Sequence, residues 1–211
     1  MIKAVLFDLD GTLINTNDLI IKSFQYTFKK HMNREIDRDK IVKHFGEPLI
    51  YSMEQYDKEN AELMVNIFRE FNETKHDELV SIFDNVEDSL IELEKLNIKR
   101  AVVSSKRRPM VERGLKLFSI YDNMDAIITP EDTEKHKPDG EPALKACKVL
   151  GISPEEAIMV GDSYNDILCG KNAGCLTCLV KYTALPIEEM LTYRPDYVID
   201  SLLDLIKIIK G

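Results

Sequence analysis

Six short apolar runs recur along the chain: KAVLF, IKRAVVS, DAIIT, EAIMVG, CLTCLV and DYVI. Bounded by polar and turn-forming residues, they predict strands, and the stretches between most of them have helical periodicity. Strands alternating with helices predict an α/β fold, a doubly wound parallel sheet covered on both faces. In such sheets the ligand crevice lies beyond the carboxyl ends of the strands. Asp8 follows the first run, Ser104 ends the second and Asp162 follows the fourth. Three polar groups far apart in sequence are therefore expected on one edge.

Residues 15–80 interrupt this alternation. Leu19, Ile20, Phe24 and Phe28 recur at helical spacing, as do Leu63, Ile67 and Phe71, and no strand pattern intervenes. The expected organisation is a core of residues 1–14 and 81–211 with a helical module, 15–80, inserted in it. Hinges near Ile14 to Thr16 and Glu78 to Phe83 would permit lid movement.

Composition narrows the class. With 211 residues the chain is long enough for one large α/β domain or a medium core with an inserted module. A hydrophobic fraction of 44% and a charged fraction of 31% exclude a disordered chain. No run of about 18 apolar residues suggests a membrane span. MIKAVLF runs directly into DLD without a basic and then apolar leader, so the expected location is the cytoplasm. A net charge of −9 argues against a nucleic-acid partner, which needs a basic face. Cys175 and Cys178 form C-L-T-C inside an expected strand, where residues three apart face opposite ways. With Cys147 and Cys169 they are expected to be reduced core thiols, since no second pair completes a zinc set.

Candidate chemistry begins in VLFDLDGTLIN, where an apolar run halts at Asp8 and Asp10. A lone D-x-D caps many turns. Gly161-Asp162-Ser163-Tyr164-Asn165-Asp166 adds a second carboxylate pair after another strand, with Asp162 placed to begin a helix. Together these carboxylates form a hard, oxygen-rich site suited to Mg²⁺. Asp8 could then attack phosphorus to form an aspartyl-phosphate, with Asp10 as general acid and base. Gly11 would let the backbone bend sharply near the phosphoryl group, and Thr12 would fix the bend through its side-chain hydrogen bond. Ser104 and Lys137, the latter followed by Pro138, would donate to phosphoryl oxygens.

The ordered set resembles the haloacid dehalogenase superfamily of phosphohydrolases, and the resemblance covers nearly the whole chain. D-L-D-G-T at Asp8 to Thr12 resembles the first motif, Ser104 the second, Lys137 the third and G-D-x-x-x-D at Gly161 to Asp166 the fourth. The resemblance implies Asp8 as nucleophile, Asp10 as acid and base, and Ser104 with Lys137 as phosphoryl clamps. It implies Mg²⁺ held by the Asp8 carboxylate, the Asp10 backbone carbonyl and Asp162, with Asp166 in support. The inserted module is placed like the helical type 1 cap, which shapes the leaving-group side of the pocket.

DGTLINTNDLIIKSF, FNETKHDELV, AIMVGD and GKNAG further resemble a pyrophosphatase branch close to the phosphoglycolate phosphatases. That implies hydrolysis of inorganic pyrophosphate, whose leaving phosphate has a second pKa of about 6 to 7 and needs less acid help than an alkoxide. Ser105 and Lys106 follow motif two as further substrate contacts, and Lys106 with Lys43 are the candidates for the distal phosphate. Glu47 is expected to point away from a phosphate site; His44, His76 and His136 are expected in surface or capping roles. The runner-up reading is a phosphoglycolate or sugar-phosphate phosphatase on the same core. A phosphomutase, a dehalogenase and a phospho-accepting module fit less well. The expected partner is a small phosphorylated substrate or pyrophosphate, and the expected state a monomer or weak homodimer.

Overall fold

A computed structural model describes residues 1–211. Its strands are β1 (Ala4–Phe7), β2 (Ile14–Asn15), β3 (Ser81–Ile82), β4 (Lys99–Val103), β5 (Ala126–Ile128), β6 (Ala157–Gly161), β7 (Leu176–Val180) and β8 (Tyr197–Ile199). The helices are α1 (Asn17–Met32), α2 (Arg38–Val42), α3 (Leu49–Glu54), α4 (Ala61–Leu79), α5 (Val86–Lys95), α6 (Arg108–Leu117), α7 (Glu141–Leu150), α8 (Tyr164–Ala173), α9 (Ile187–Thr192) and α10 (Asp204–Lys210). No helix is long and apolar enough to cross a membrane.

Six strands form one sheet in the order β5-β4-β1-β6-β7-β8, every pair parallel. All six apolar runs of the sequence are represented in it. β1 lies between β4 and β6, with Phe7 in register with Val102 on one side and Val160 on the other. All four β1 residues are buried, so the strand is covered on both faces. Ala4, Leu6, Ala101, Val103 and Met159 share a core with Ala143, Ala146 and Cys147 of α7 and Cys169 of α8. The intervening residues Val5, Phe7, Val102, Ile158 and Val160 are equally buried and point to the other face. The chain leaves β1 toward β4 and β5 and returns to its other side at β6. The switch point therefore opens at the carboxyl end of β1.

The chain divides into two compact units, residues 1–14 with 82–211, and residues 15–81. It passes between them at β2 and β3, which pair as a two-stranded sheet. Within the 15–81 unit α1 packs on α4, and Leu19, Phe24 and Phe28 of the one and Met64, Val65 and Phe68 of the other are buried. Phe24 meets Phe68 edge to face at 5.2 Å between ring centroids. Of the expected apolar stripe on α4, Ile67 is buried and Phe71 partly buried, but Leu63 is 50% exposed and Met64 takes the inward position beside it. Two small polar groups share this interior, where the Asn72 amide donates to Ser23 Oγ at 3.2 Å.

The same unit corrects the histidine expectations. His44 is buried, stacked on Phe24, with one ring nitrogen 3.1 Å from Glu47 Oε2 and the other 2.8 Å from the Tyr56 hydroxyl. His76 is also buried, beside Asp77 at 2.7 Å, whereas His136 is exposed. Glu47 accepts from the Ser52 hydroxyl at 3.3 Å as well, so its charge is used inside its own unit. Lys43 is exposed.

Cys147, Cys169, Cys175 and Cys178 are all free and buried. Cys175 precedes β7 rather than lying in it, and joins Cys147 and Cys169 in the core cluster.

Candidate active site

Asp8 is the first residue past β1, and its amide still donates to Val160 O at 2.8 Å, as a strand residue's would. Ser104 is the first residue past β4, its amide bonded to Ile128 O at 3.0 Å. Asp162 is the first past β6. Parallel pairing of three adjacent strands thus delivers three side chains to one sheet edge. Lys137 comes from the loop after β5 and closes the set: its Nζ lies 2.6 Å from Asp8 Oδ1 and 2.7 Å from Asp166 Oδ1. The Lys137–Pro138 peptide is cis.

Asp166 is fixed by the start of α8. Ser163, not Asp162, is the N-cap of that helix. Its amide and hydroxyl donate to Asp166 Oδ2 at 3.1 and 2.6 Å, and the hydroxyl in turn meets the Asp166 backbone in a capping box. One Asp166 oxygen therefore serves the helix and the other serves Lys137. Gly161 makes this approach possible, because a Cβ there would stand 2.2 Å from Asp166 Cβ.

The turn after Asp8 is held mainly by its backbone. The amides of Leu13 and Ile14 donate to Leu9 O, both at 3.0 Å, and Gly11 N donates to Ile14 O at 2.8 Å. Gly11 has φ +86, and a Cβ there would lie 2.3 Å from Asp162 Oδ2, so glycine is required twice over. Thr12 corrects an expectation: its buried hydroxyl has no hydrogen-bond partner, so it does not fix the bend. Asp10 extends from this turn to Lys106, whose ammonium lies 2.7 Å from Asp10 Oδ1. Lys106 N also donates to Ser104 Oγ at 3.1 Å. Lys106 is thus paired with Asp10 within the site. Ser105 is exposed and lines a small cleft with Ser104, Thr129, Thr133, His136 and Lys137.

The charges do not balance. Asp8, Asp162 and Asp166 each offer a carboxylate oxygen, all within 4.8 Å of one another, and only the Lys137 ammonium is buried with them. Two carboxylates at that separation repel by about 3–4 kcal/mol at an effective dielectric of 20. Burial, opposed by Lys137 and reinforced by Asp166, pushes Asp8 up to about 7. Burial and the charges of Asp166 and Asp8 likewise push Asp162 well above the usual carboxylate range. Burial works against the charged form of Lys137, yet Asp166 and Asp8 more than offset it and raise the ammonium. A buried all-oxygen cluster with excess negative charge fits a hard divalent cation.

Sequence reasoning missed the loop after β7. The Tyr182 hydroxyl donates to Thr12 O at 2.9 Å, and Thr183 Oγ1 lies 3.4 Å from Asp162 Oδ2. A tyrosine and threonine after a strand carry no local pattern that announces such contacts. Ser163 was missed too, although the S-x-x-D spacing of a helix start points to it.

Residues 5–180 match the family model described as haloacid dehalogenase-like hydrolase. The chain is 51% identical over 210 residues to a PpaX protein of Clostridium perfringens, covering 100% of this chain and 98% of that one. It is 40% identical to the pyrophosphatase PpaX of Bacillus velezensis, covering 98% and 96%. Among solved structures, a haloacid dehalogenase-like family hydrolase of Streptococcus pneumoniae superposes with a TM-score of 0.90 at 25% identity, covering 99% and 98%.

Proposed function

Because the chain belongs to the haloacid dehalogenase-like hydrolase family, we propose that it is a Mg²⁺-dependent phosphohydrolase whose reaction is the hydrolysis of inorganic pyrophosphate to two phosphates. The whole-length likeness to PpaX proteins supports the choice of substrate. The observation that carries the chemistry is the setting of Asp8. It stands at the sheet's switch point with Oδ1 held by Lys137, among carboxylates whose charge one ammonium leaves in excess.

Asp8 and Asp162, with the Asp10 backbone carbonyl, are the groups that would hold Mg²⁺, with Asp166 in support. When bound, the cation offsets the charge of these carboxylates and of the phosphoryl oxygens. With Oδ1 engaged by Lys137, Oδ2 of Asp8 is the oxygen left to attack phosphorus. A bond from Oδ2 to phosphorus forms as the bridging P–O bond breaks, and the leaving phosphate departs with the electron pair. Ser104 and Lys137 donate to the transferring phosphoryl oxygens. Asp10 gives a proton to the leaving oxygen, then takes one from the water that cleaves the aspartyl-phosphate and regenerates Asp8.

A kinetic panel of pyrophosphate, phosphoglycolate and sugar phosphates with Mg²⁺ tests the reading. Pyrophosphate is expected to give the highest kcat/KM, and Asp8→Asn a folded protein without turnover. A preference for phosphoglycolate would refute the substrate, and near-normal activity of Asp8→Asn would refute the nucleophile.

A further inference from the structure

The turn that carries Asp10 leaves two successive carbonyls, those of Thr12 and Leu13, to be satisfied from outside it. Thr12 is fully buried, so its carbonyl cannot rely on solvent, and an unpaired buried carbonyl would be costly. The Tyr182 hydroxyl donates to Thr12 O at 2.9 Å, and Phe83 N donates to Leu13 O at 3.2 Å. The two donors brace each other: the rings of Phe83 and Tyr182 lie 4.5 Å apart, tilted by 39°. Tyr182 therefore reaches the turn as a rigid strut from the loop after β7. The next residue of that loop, Thr183, accepts from Leu185 N at 3.0 Å while its hydroxyl faces Asp162. One short loop thus touches both the Asp10 turn and the Asp162 loop.

We propose that Tyr182 is a positioning residue for Asp10, its hydroxyl holding the Asp8 to Ile14 turn so that the acid and base group meets the leaving oxygen. This inference rests on the phosphohydrolase reading above. Tyr182 touches no reacting atom; it acts through the Thr12 carbonyl, two residues beyond Asp10. A misplacement of the turn would weaken proton transfer rather than substrate binding. Its effect should be greatest where the leaving group most needs a proton, an alkyl phosphate, and smallest for pyrophosphate.

Tyr182→Phe removes the hydroxyl and keeps the ring on Phe83. The variant is expected to lose about tenfold in kcat on an alkyl phosphate with KM within about twofold, and less on pyrophosphate. The ratio of the two activities should shift in the direction produced by Asp10→Ala. Phe83→Leu, which keeps the hydroxyl but removes the ring support, is expected to lower Tm and leave that ratio near wild type. Equal losses on both substrates in Tyr182→Phe, or wild-type rates on both, would overturn the proposal. So would a failure of Tyr182→Phe to fold accompanied by a changed ratio in Phe83→Leu, since the ring rather than the hydroxyl would then set the turn. Wild-type enzyme lacking turnover on every phosphate ester and anhydride would instead refute the underlying reading.

Discussion

Lys106 and Asp10, 96 residues apart in sequence, meet in a 2.7 Å ion pair at the mouth of the carboxylate cluster. The pair places a cation on the proposed acid and base, so Lys106→Met should act on catalysis rather than on affinity. Its kcat for an alkyl phosphate is expected to fall about tenfold, and that for pyrophosphate less, with KM for each within about threefold. Steady-state kinetics decide the matter: a large rise in KM at unchanged kcat would return Lys106 to direct contact with the distal phosphate.

Lys137 is the only cation buried with Asp8, Asp162 and Asp166, and its side chain is 3% exposed. Removing one partner of a buried ion pair costs about 3–5 kcal/mol, because the remaining charge is left uncompensated. Lys137→Met is therefore expected to lower the metal-free Tm by on the order of 10 °C for a chain of this size. Mg²⁺ should restore part of the loss, since it supplies the missing positive charge. Thermal melts with and without Mg²⁺ test this, and a metal-free Tm matching wild type would contradict the charge argument.

The parts of the fold that were legible in the sequence depend on short-range signals. Continuous apolar runs mark strands buried on both faces, and in a parallel sheet the residue ending each run must arrive at the same edge. Asp8, Ser104 and Asp162 could be placed together for that reason alone. Lys137 could be placed among them only through motif resemblance, because its loop reaches the site by tertiary packing. The pairings at the site that escaped, Lys106 with Asp10 and Tyr182 with Thr12, are long-range. Nothing near Lys106 distinguishes a partner of Asp10 from a substrate contact, and nothing near Tyr182 signals the Thr12 carbonyl. Thr12 misled because a threonine in a turn ordinarily finds a local acceptor, whereas here the backbone closes the turn and the hydroxyl is buried without a partner. His44 misled in the opposite sense: polar in sequence, it is buried, with one ring nitrogen on the partly exposed Glu47 and the other on the Tyr56 hydroxyl.

Thr12 yields a prediction of its own. A buried hydroxyl without a partner costs roughly 1–3 kcal/mol of desolvation, and valine has nearly the same shape without that oxygen. Thr12→Val is expected to match or exceed the wild-type Tm and to retain most of the activity, because the turn is closed by Leu9 O, Ile14 O and Tyr182. A Tm loss of several degrees, measured by calorimetry, would show that the hydroxyl has a partner that valine cannot replace.

Proton and metal compete for the same carboxylates, which fixes the sign of the pH dependence. In the metal-free fold Asp8 is raised from 3.8 to about 7, chiefly by burial, and Asp162 is raised too by burial and by its carboxylate neighbours. A carboxylate whose folded-state value is raised contributes stability that is complete below its unfolded value and is lost as pH rises through the folded one. The metal-free protein should therefore lose stability between about pH 4 and pH 7 through these groups. Mg²⁺ requires the ionised forms, so its affinity and the stabilisation that follows by mass action rise over the same window. The Tm increment produced by a fixed Mg²⁺ concentration is expected to be larger at about pH 8 than at about pH 5.5. Asp162→Asn, which removes one of the competing carboxylates, should reduce both the increment and its dependence on pH. An increment equal at the two pH values in the wild-type protein would mean that the cation stabilises the chain elsewhere than at Asp8 and Asp162.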